Sequence, residues 1–280
     1  MNQACEIAER NPFQVRPITD KEFYQFKTLI YEVAGISMAP GKKNLVMSRL
    51  TKRLVHYGLK RFDEYYALIH SKQSPDEFQI MVDLLTTNET YFFREPQHFD
   101  FLVDQLIKPW QGDELRIWSA ACSSGEEVYT LAMVLAKYLT GKPWYVLGSD
   151  ISTKMLASCR RGVYPLSRMG SMNQEFLHKY CLRGVREQEG TFLVDSKLRN
   201  CCQFEQINLT KTLPNIGLFD VIFVRNVMIY FDQAVKTMVI DKLIQKLKPG
   251  GYLITSHSET LHGITDKLTM LKPSIHRKKE

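Results

Sequence analysis

Apolar residues follow two different spacings along this sequence, and the change between them divides the chain in two. From residue 18 to about 90 they recur every three or four positions, which places them on one face of α-helices. Clear examples are Phe23, Phe26, Ile30, Val33, Leu50, Leu54 and Tyr57. No strand-like alternation interrupts this part, and we predict a small all-helical domain over residues 1–90.

Further along, short apolar runs alternate with longer amphipathic segments. The runs, each of strand length, are LRIWSAA, WYVLGSD, FDVIFVRN and GYLITS. Strands that alternate with helices predict a mainly parallel sheet with helices on both faces, so we expect an α/β domain over residues 91–280. Glycines and prolines break this rhythm around short β-like pieces such as GTFLV and QFEQI, which predicts a small inserted subdomain at about residues 162–206.

Composition excludes several classes of protein. The 280 residues are 44% hydrophobic, which suffices for a real core, yet the longest apolar runs fall well short of the roughly 20 residues that span a bilayer. The first residues lack the apolar run of a signal peptide, so we predict a cytoplasmic protein without membrane insertion. The six cysteines show no CxxC spacing. This argues against a disulfide framework and a zinc site, and no metal is predicted.

The formal net charge of +7 favours an acidic partner, which is either nucleic acid, a membrane surface or an acidic protein. Charge alone does not choose among them. One basic stripe in SRLTKRLVHYGLKR has its members at helical spacing. They are Arg49, Lys52, Arg53, His56 and Lys60. A stripe of this kind is often only a solvated helix face.

The segment RIWSAACSSGEE has the layout of a nucleotide-binding βα turn, with a strand, a run of small residues and a helix. Small side chains let a ligand approach the free N–H groups where the helix begins. The alternative is a tight turn that needs small residues only for packing. Asp150 ends the next strand, close to the roughly 20-residue spacing at which a carboxylate meets ribose hydroxyls. A helix-capping aspartate is the alternative there.

Acidic residues in this turn bear on the identity of the ligand. The G-x-G-x-x-G glycines of dinucleotide-binding proteins are absent, and Glu126 and Glu127 stand where a pyrophosphate would need positive or neutral surroundings. S-adenosylmethionine has no phosphate and carries a sulfonium and an ammonium group. We therefore predict that the turn binds S-adenosylmethionine rather than NAD.

Two further clusters combine polar and apolar residues. In FDVIFVRNVMIYF an apolar strand stops at Arg225 and Asn226 and continues to Tyr230. Ligands lie across the carboxyl ends of parallel strands, so we expect these side chains in the ligand crevice, although an Arg–Asn pair could instead cap the following helix. In TTNETYFFRE, Phe92 and Phe93 favour a core role, whereas Asn88 and Arg94 are hard to explain as core.

Taken together, these segments resemble the CheR family of chemotaxis-receptor methyltransferases. The matching segments are TTNETYFFRE, SAACSSGEEVY, GSDIS, INL and VRNVMIYF. The resemblance implies a class I S-adenosylmethionine-dependent methyltransferase fold, Rossmann-like with a mainly parallel sheet, an N-terminal all-helical domain and a small antiparallel β-subdomain insertion. Glu89 and Tyr91 stand where the family often has small or apolar residues.

The resemblance also implies the site. Its cofactor-contacting positions correspond to Asn88, Thr90, Arg94, Glu126, Glu127, Asp150, Asn208, Leu209, Val224, Arg225 and Asn226. It does not decide which of the two adjacent glutamates is the ligand. The family's proposed active-site arginine and tyrosine correspond to Arg94 and Tyr230.

By this resemblance, the protein transfers the methyl group of S-adenosylmethionine to glutamate side chains of methyl-accepting chemotaxis receptors and releases S-adenosylhomocysteine. A glutamate carboxylate, with a pKa near 4.3, is already ionised at neutral pH, so no general base is needed. The implied partner is the cytoplasmic helical domain of the receptors, docked on the basic stripe. Whether the β-subdomain binds a C-terminal receptor peptide is left open.

Two other functions compete with this one. A nucleic-acid methyltransferase would suit the basic charge, but the sequence lacks an Asn/Asp-Pro-Pro-aromatic turn and a catalytic cysteine motif. No nucleic-acid partner is therefore predicted. The second is a signalling adaptor that binds S-adenosylmethionine with little or no catalysis. The presence of Arg94, Asp150, Asn226 and Tyr230 argues against it.

Overall fold

The computed structural model describes residues 15–71 and 74–280. Their contacts divide them into two compact units. The first contains the described residues up to Thr86 apart from Ala34–Ile36. The second contains Ala34–Ile36 and Thr87–Glu280.

The first unit is helical. Its helices are α1 (Asp20–Ala34), α2 (Lys43–His56), α3 (Phe62–Ile69) and α4 (Glu77–Leu85), with a short 3-10 helix at Pro40–Lys42. A reciprocal capping box fixes the start of α1, because Thr19 N–H donates to Glu22 Oε2 and Glu22 N–H donates to Thr19 Oγ1. The apolar spacing that predicted these helices brings the ring of Phe26 against the rings of Phe62 and Tyr65. The aromatic core of this unit follows directly from the sequence pattern.

One buried carboxylate ties α2, α3 and α4 together. Glu77 accepts hydrogen bonds from Arg53 Nε (2.7 Å) and Nη2 (2.6 Å), Tyr57 Oη (3.0 Å) and Tyr65 Oη (2.7 Å). Burial alone would raise the pKa of Glu77, but these hydrogen bonds hold the pKa below its ordinary value. Arg49 donates to two carbonyl oxygens at the end of α4. Two cations of the basic stripe therefore stabilise the helical unit itself.

The second unit is an α/β structure. Its helices are α5 (Gln97–Leu102) with a π-helical continuation at Val103–Ile107, α6 (Glu126–Tyr138), α7 (Thr153–Arg161), α8 (Gln174–Tyr180), α9 (Ser196–Arg199) and α10 (Gln233–Gln245), besides short 3-10 helices at Leu166–Arg168, Arg186–Gln188 and Met228–Tyr230. Its strands are β1 (Leu115–Ser119), β2 (Trp144–Asp150), β3 (Val163–Pro165), β4 (Cys181–Arg183), β5 (Thr191–Val194), β6 (Cys202–Gln206), β7 (Phe219–Phe223), β8 (Leu247–Ile254), β9 (Leu268–Lys272) and β10 (Ile275–Lys278). In the described residues, no helix is both long and apolar enough to cross a membrane.

The main sheet has seven strands in the order β6-β2-β1-β7-β8-β10-β9. The first five are parallel neighbours, and β10 runs antiparallel to β8 and β9. The chain winds outward from β1 through β2 to β6 and then continues on the other side of β1 with β7. The winding direction therefore reverses between β1 and β7, and such a switch point is where open parallel sheets bind ligands. The predicted α/β class with a mainly parallel sheet is confirmed.

Helices cover both faces of this sheet. Ile117 and Trp118, successive residues of β1, are both fully buried and belong to different apolar clusters. The Ile117 cluster includes side chains of α6, and the Trp118 cluster includes side chains of α10. A strand covered on both faces is mainly apolar, which explains why the central parallel strands appeared in the sequence as mostly apolar runs.

The insertion forms a separate antiparallel sheet of three strands in the order β3-β5-β4, as predicted. The predicted extent of about 162–206 was wrong at its end, because Cys202–Gln206 pairs in parallel with β2 at the edge of the main sheet. An edge strand is covered less than a central one, and the sequence CQFEQ is correspondingly polar. It therefore looked like a strand of the small subdomain.

Candidate active site

The carboxyl ends of β1, β2 and β7 lie side by side, because these strands are parallel neighbours. Ser119 ends β1, Asp150 ends β2, and Val224 follows β7. The N–H of Ala120 donates to the carbonyl oxygen of Phe223 at 2.8 Å, which joins the segments that leave β1 and β7. The segments after these strands therefore line one crevice at the switch point.

The turn after β1 has a specific backbone shape. Gly125 has a φ of 99°, and a Cβ there would lie 2.9 Å from Tyr164 Oη and 3.0 Å from Cys159 Sγ, so the position requires glycine. Ser123 is also left-handed, with a φ of 49°, and its N–H donates to Asp150 Oδ2 at 2.8 Å. The turn is thus held by the end of the neighbouring strand as well as by its small residues.

Asp150 links two segments of the crevice. Its Oδ2 accepts from Ser123, and its Oδ1 accepts from the N–H of Ser152 at 2.9 Å. The cap of α7 is Ser152, whose Oγ accepts from Met155 N–H, so the helix-capping alternative for Asp150 was wrong. A carboxylate oxygen can accept more than one hydrogen bond, so these contacts are compatible with a hydroxyl ligand.

The two adjacent glutamates have different surroundings. Glu126 is 1% exposed and accepts from Ser124 Oγ at 2.7 Å, and burial raises its pKa. Glu127 accepts from Ser119 Oγ at 2.8 Å and from Arg225 Nη1 at 2.8 Å. Of the two, Glu127 reaches the strand ends that form the crevice.

Arg225 follows the fully buried Val224, and its own side chain is only 3% exposed. Its guanidinium lies between two carboxylates, 2.8 Å from Glu127 Oε2 and 3.0 Å from Glu95 Oε2. Nη2 also donates to the carbonyl oxygen of Arg94. The predicted cofactor contact at Arg225 thus coincides with a buried charge that joins the end of β7 to the segment carrying Arg94.

Residues 88–94, near the start of the Thr87–Glu280 part of the second unit, pack against the β1 turn. The carbonyl oxygen of Asn88 accepts from Ser123 Oγ at 3.0 Å, and that of Thr90 accepts from Arg168 Nη1. Phe92 is fully buried and Phe93 is 9% exposed, which confirms the core role expected for both. Two predicted site residues are thereby held close to the crevice by their backbone carbonyls.

Arg94 has a different environment from Arg225. Its Nη1 donates to the carbonyl oxygen of Glu89 at 2.8 Å, and its guanidinium lies 5.7 Å from the centre of the Tyr91 ring. Within residues 15–71 and 74–280, no carboxylate forms an ion pair with Arg94. A planar guanidinium with N–H groups to spare is suited to bind a carboxylate ligand.

Asn208 and Leu209 follow β6, beside the end of β2. The N–H of Ile207 donates to the carbonyl oxygen of Asp150 at 3.2 Å, so this segment starts next to that residue. Asn208 Oδ1 accepts from the N–H and the hydroxyl of Thr210, and Leu209 is buried in the apolar cluster that contains Trp118. The structure therefore places both residues at the predicted crevice.

Asn226 and Tyr230 lie on the turn after β7. Asn226 is left-handed, with a φ of 58°, and its N–H donates to Glu259 Oε2 at 2.9 Å. Tyr230 is half-buried and ends a short 3-10 helix. The following helix, α10, is capped by Asp232, so the alternative that Arg225 and Asn226 cap it was wrong.

A cleft of about 380 Å³ opens beside the Arg94 segment. It is lined by Glu89, Thr90, Tyr91, Ser167, Arg168 and Gly170. At Gly170 a Cβ would lie 2.3 Å from the carbonyl oxygen of Phe92 and 2.4 Å from Cδ2 of Tyr91, so the insertion approaches this closely only through glycine. The cleft is thus bounded by the Arg94 segment on one side and by the insertion on the other.

Backbone strain is concentrated in the segments around the crevice. Phe93, Glu95, Ser123 and Asn226 all have a φ between 49° and 58°, a region that costs non-glycine residues about 1–3 kcal/mol each. They belong to the three segments that surround the crevice. Such strain persists only where the surrounding contacts over-determine the backbone, as the hydrogen bonds of Asp150, Arg225 and Glu259 do here.

A buried polar network behind the Arg94 segment was missed by sequence reasoning. His98 Nε2 lies 2.7 Å from Ser274 Oγ, and His98 Nδ1 lies 3.5 Å from Glu95 Oε2. The N–H of His257 lies 3.4 Å from Glu95 Oε1, and its Nδ1 is 3.3 Å from Ser274 Oγ. The network joins Glu95 and His98 to His257 and Ser274, which lie far away in the sequence, so no local motif indicates it.

Three members of the network have the composition of a metal site. Ligand atoms of Glu95, His98 and His257 lie within 4.8 Å of one another. The guanidinium of Arg225 is 3.0 Å from Glu95 Oε2, and this positive charge disfavours a divalent cation beside the same carboxylate. The absence of a metal stays a prediction.

His98 should make the protein acid-sensitive. Burial, helped by the charges of Arg225 and His257, lowers the pKa of His98 to about 3, whereas the unfolded chain has the ordinary value of 6.5. Between these values the unfolded state binds a proton that the folded state does not, so the free energy of unfolding falls as the pH drops below about 6.5. We expect a loss of about 2 kcal/mol at pH 5 from this residue.

Urea unfolding of the wild type and of His98→Gln between pH 4 and 7.5 measures this loss. The variant should show a shallower decline below pH 6.5, while the matched control His262→Gln, at an exposed histidine of the same unit, should follow the wild type. Parallel curves for the wild type and His98→Gln would contradict the assignment.

The doubly wound sheet and an acidic crevice without phosphate-binding glycines are shared by one broad class of enzymes, the class I S-adenosylmethionine-dependent methyltransferases. Family models identify the member of that class. "CheR methyltransferase, SAM binding domain" matches residues 88–276, and "CheR methyltransferase, all-alpha domain" matches residues 21–86. The chain belongs to the CheR methyltransferase family, which confirms the resemblance seen in the sequence.

Individual relatives agree with this assignment. The chemotaxis protein methyltransferase of Escherichia coli (strain K12) is 38% identical over 264 residues, which cover 92% of this chain and 91% of that protein. Chemotaxis protein methyltransferase 2 of Pseudomonas aeruginosa is 41% identical over 245 residues, which cover 86% and 87%. Among solved structures, the glycopeptide N-methyltransferase MtfA complexed with sinefungin aligns with a TM-score of 0.38 at 14% identity, over 68% of this chain and 60% of that one. As a member of the CheR methyltransferase family, the protein is a methyltransferase with a domain that binds S-adenosylmethionine.

Proposed function

We propose that this protein methylates glutamate side chains of methyl-accepting chemotaxis receptors, forming glutamate methyl esters and S-adenosylhomocysteine. The observation that carries the proposal is Arg94. Its guanidinium lies on a segment packed against the crevice and forms no ion pair with a carboxylate in the described part of the chain. A substrate carboxylate can therefore form an ion pair with this guanidinium.

The crevice residues fit S-adenosylmethionine by charge and by donor type. We assign Asp150 to the ribose hydroxyls and Glu127, rather than the buried Glu126, to the cationic end of the molecule. The other predicted contacts that border the crevice are Asn88, Thr90, Leu209, Asn208, Val224 and Asn226. Arg225 is assigned a bracing role, because its guanidinium is engaged by Glu127 and Glu95.

In this proposal, catalysis depends on how the substrate carboxylate is positioned relative to the methyl group. When bound, S-adenosylmethionine supplies a methyl group activated by a positively charged sulfur. The substrate glutamate is ionised at neutral pH and needs no base. Arg94 and the hydroxyl of Tyr230 orient its carboxylate so that one oxygen lies within about 3–3.5 Å of the methyl carbon. The pairing with Arg94 has to be moderate, because a stronger one would stabilise the nucleophile and slow the attack.

The product distinguishes this function from its alternatives. Purified protein, radiolabelled S-adenosylmethionine and a receptor cytoplasmic fragment should give methyl groups that mild alkali releases as methanol, as expected for an ester. Replacing the receptor's accepting glutamates by alanine should remove the label. Alkali-stable label would indicate another acceptor atom, and cofactor binding without any transfer would indicate the adaptor.

The helical unit is the proposed docking surface for the acidic receptor helices. Lys52, His56 and Lys60 of the basic stripe are exposed, whereas Arg49 and Arg53 are engaged within the unit. Charge reversal at Arg53 would leave the buried Glu77 without its cationic partner, so that variant would report on stability rather than on docking.

Lys52→Glu is the better test of docking. We expect the KM for receptor to rise by about three- to tenfold, because opposite charges across an interface become like charges, while the Kd for S-adenosylhomocysteine stays unchanged. Lys21→Glu, at an exposed lysine of α1, is the matched control for net charge. Equal effects of the two variants would show that only the total charge matters.

A further inference from the structure

Glu259 is a buried carboxylate at the centre of the turn that carries two predicted site residues. It lies beyond the end of β8 and is 8% exposed. Its Oε2 accepts from Asn226 N–H (2.9 Å), Ser256 N–H (3.0 Å) and Ser256 Oγ (2.8 Å), and its Oε1 accepts from Ile229 N–H (3.2 Å). The two oxygens therefore hold different parts of the turn.

Oε2 binds the part of the turn that carries the predicted cofactor contact. It binds the left-handed Asn226, whose conformation is costly for a non-glycine residue. The two bonds from Ser256 fix this oxygen to the end of β8, which pairs with β7. The neighbouring strand thus holds the backbone of Asn226 in place.

Oε1 binds the part of the turn next to the predicted catalytic tyrosine. The N–H of Ile229 immediately precedes Tyr230, in the same short 3-10 helix. In the described part of the chain, the N–H groups of Tyr230 and Phe231 donate to the carbonyl oxygens of Val227 and Met228, which closes only the local turns of this helix. The position of the tyrosine along the crevice therefore depends on the bond between Ile229 and Glu259.

We infer that Glu259 is a positioning residue that sets the cofactor-contacting and the catalytic half of this turn separately, one with each carboxylate oxygen. The inference rests on the proposed roles of Asn226 and Tyr230. It adds a residue that no sequence motif singled out.

Glutamine at this position separates the two tasks. An amide keeps one oxygen, and placing it at the Oε2 position satisfies three donors instead of one. The NH₂ group then faces the N–H of Ile229, and two donors cannot form a hydrogen bond. The catalytic half of the turn therefore loses its bond to residue 259, while the cofactor-contacting half keeps its bond from Asn226 N–H. Alanine removes both oxygens and releases both halves.

The experiment measures the Kd for S-adenosylhomocysteine and kcat for the wild type, Glu259→Gln and Glu259→Ala. We expect Glu259→Gln to lower kcat by about tenfold, the equivalent of one lost hydrogen bond, with a Kd within about twofold of the wild type. Glu259→Ala should lower kcat at least as far and also raise the Kd by about fivefold or more.

Asp220→Asn is the matched control for stability. Asp220 is also 8% exposed and accepts a backbone N–H, from Arg116, but it lies near the amino end of β7, away from the crevice. It should lower the melting temperature without splitting kcat from Kd. The inference is overturned if Glu259→Gln keeps full kcat, if its Kd rises as much as that of Glu259→Ala, or if Asp220→Asn reproduces the same split.

Failure of the proposed function gives a different result. In that case the wild type itself transfers no methyl group to receptor glutamates. The comparison of Kd values between Glu259→Gln and Glu259→Ala still tests the inference, because it requires no turnover. Equal Kd values for the two variants would overturn it whatever the acceptor is.

Discussion

Replacing Asp150 with alanine should raise the Kd for S-adenosylhomocysteine by about 100-fold, the equivalent of about 2.7 kcal/mol. Two effects add to give this value. The ribose loses a charged hydrogen-bond acceptor, worth about 1.5–3 kcal/mol. The N–H groups of Ser123 and Ser152 lose the carboxylate that fixes the β1 turn and the start of α7, so the crevice also loses its preformed shape.

Calorimetric titration of Asp150→Ala and Asp150→Asn measures this effect. Asparagine keeps one acceptor oxygen and should have an intermediate Kd. Asp195→Asn is the matched control, because Asp195 accepts the N–H of Lys197 at the start of α9 in the insertion and lies outside the predicted site. A Kd for Asp150→Ala within about threefold of the wild type would remove this residue from the cofactor site.

The fold was predictable where burial leaves a periodic pattern. The helices of the first unit each bury one stripe of apolar residues, and the central strands of the second unit bury both faces. The spacing of apolar residues in the sequence shows both patterns. The pattern failed at β6. This strand has a neighbour on one side only, so CQFEQ carries the polar residues of an edge, and the sequence gives no signal of which sheet it joins.

The site was predictable where its residues follow strand ends. Asp150 ends β2 and Asn226 closely follows β7, and parallel strands bring their carboxyl ends together. Glu95, His98 and Glu259 were missed, because their partners lie far away in the sequence and are recognised only by hydrogen bonds in the fold. The sequence therefore indicated residues that face the ligand but not those that hold them.

These supporting residues explain why the crevice tolerates strain. Arg225 and Glu259 both reach from the β7–β8 end of the sheet, the first to the carbonyl oxygen of Arg94 and the second to the N–H of Asn226. Each bond holds a segment with left-handed residues, among them Glu95 and Asn226. The parallel sheet is the rigid element, and the strained turns are attached to it by buried charged groups.

Arg94→Ala should have the largest effect on turnover. We expect kcat to fall by about 10²–10³-fold, the loss typical of removing one group that orients or stabilises a reacting oxygen. The Kd for cofactor should rise only severalfold, because Asp150 and Glu127 remain. Arg94→Lys should recover part of kcat, since an ammonium keeps the charge but lacks the planar fork of a guanidinium.

The Arg94→Ala variant should keep the fold because of how Arg94 is held. The backbone carbonyl, which Arg225 binds, is unchanged in the variant. Among the residues that the structure describes, the side chain forms an exposed bond to the carbonyl oxygen of Glu89 and a contact with the Tyr91 ring. The expected loss of stability is therefore below about 1 kcal/mol. Arg161→Ala, at an exposed arginine of the same unit, is the control. If Arg94→Ala keeps the kcat of that control with a normal cofactor Kd, the substrate carboxylate is oriented by a different residue.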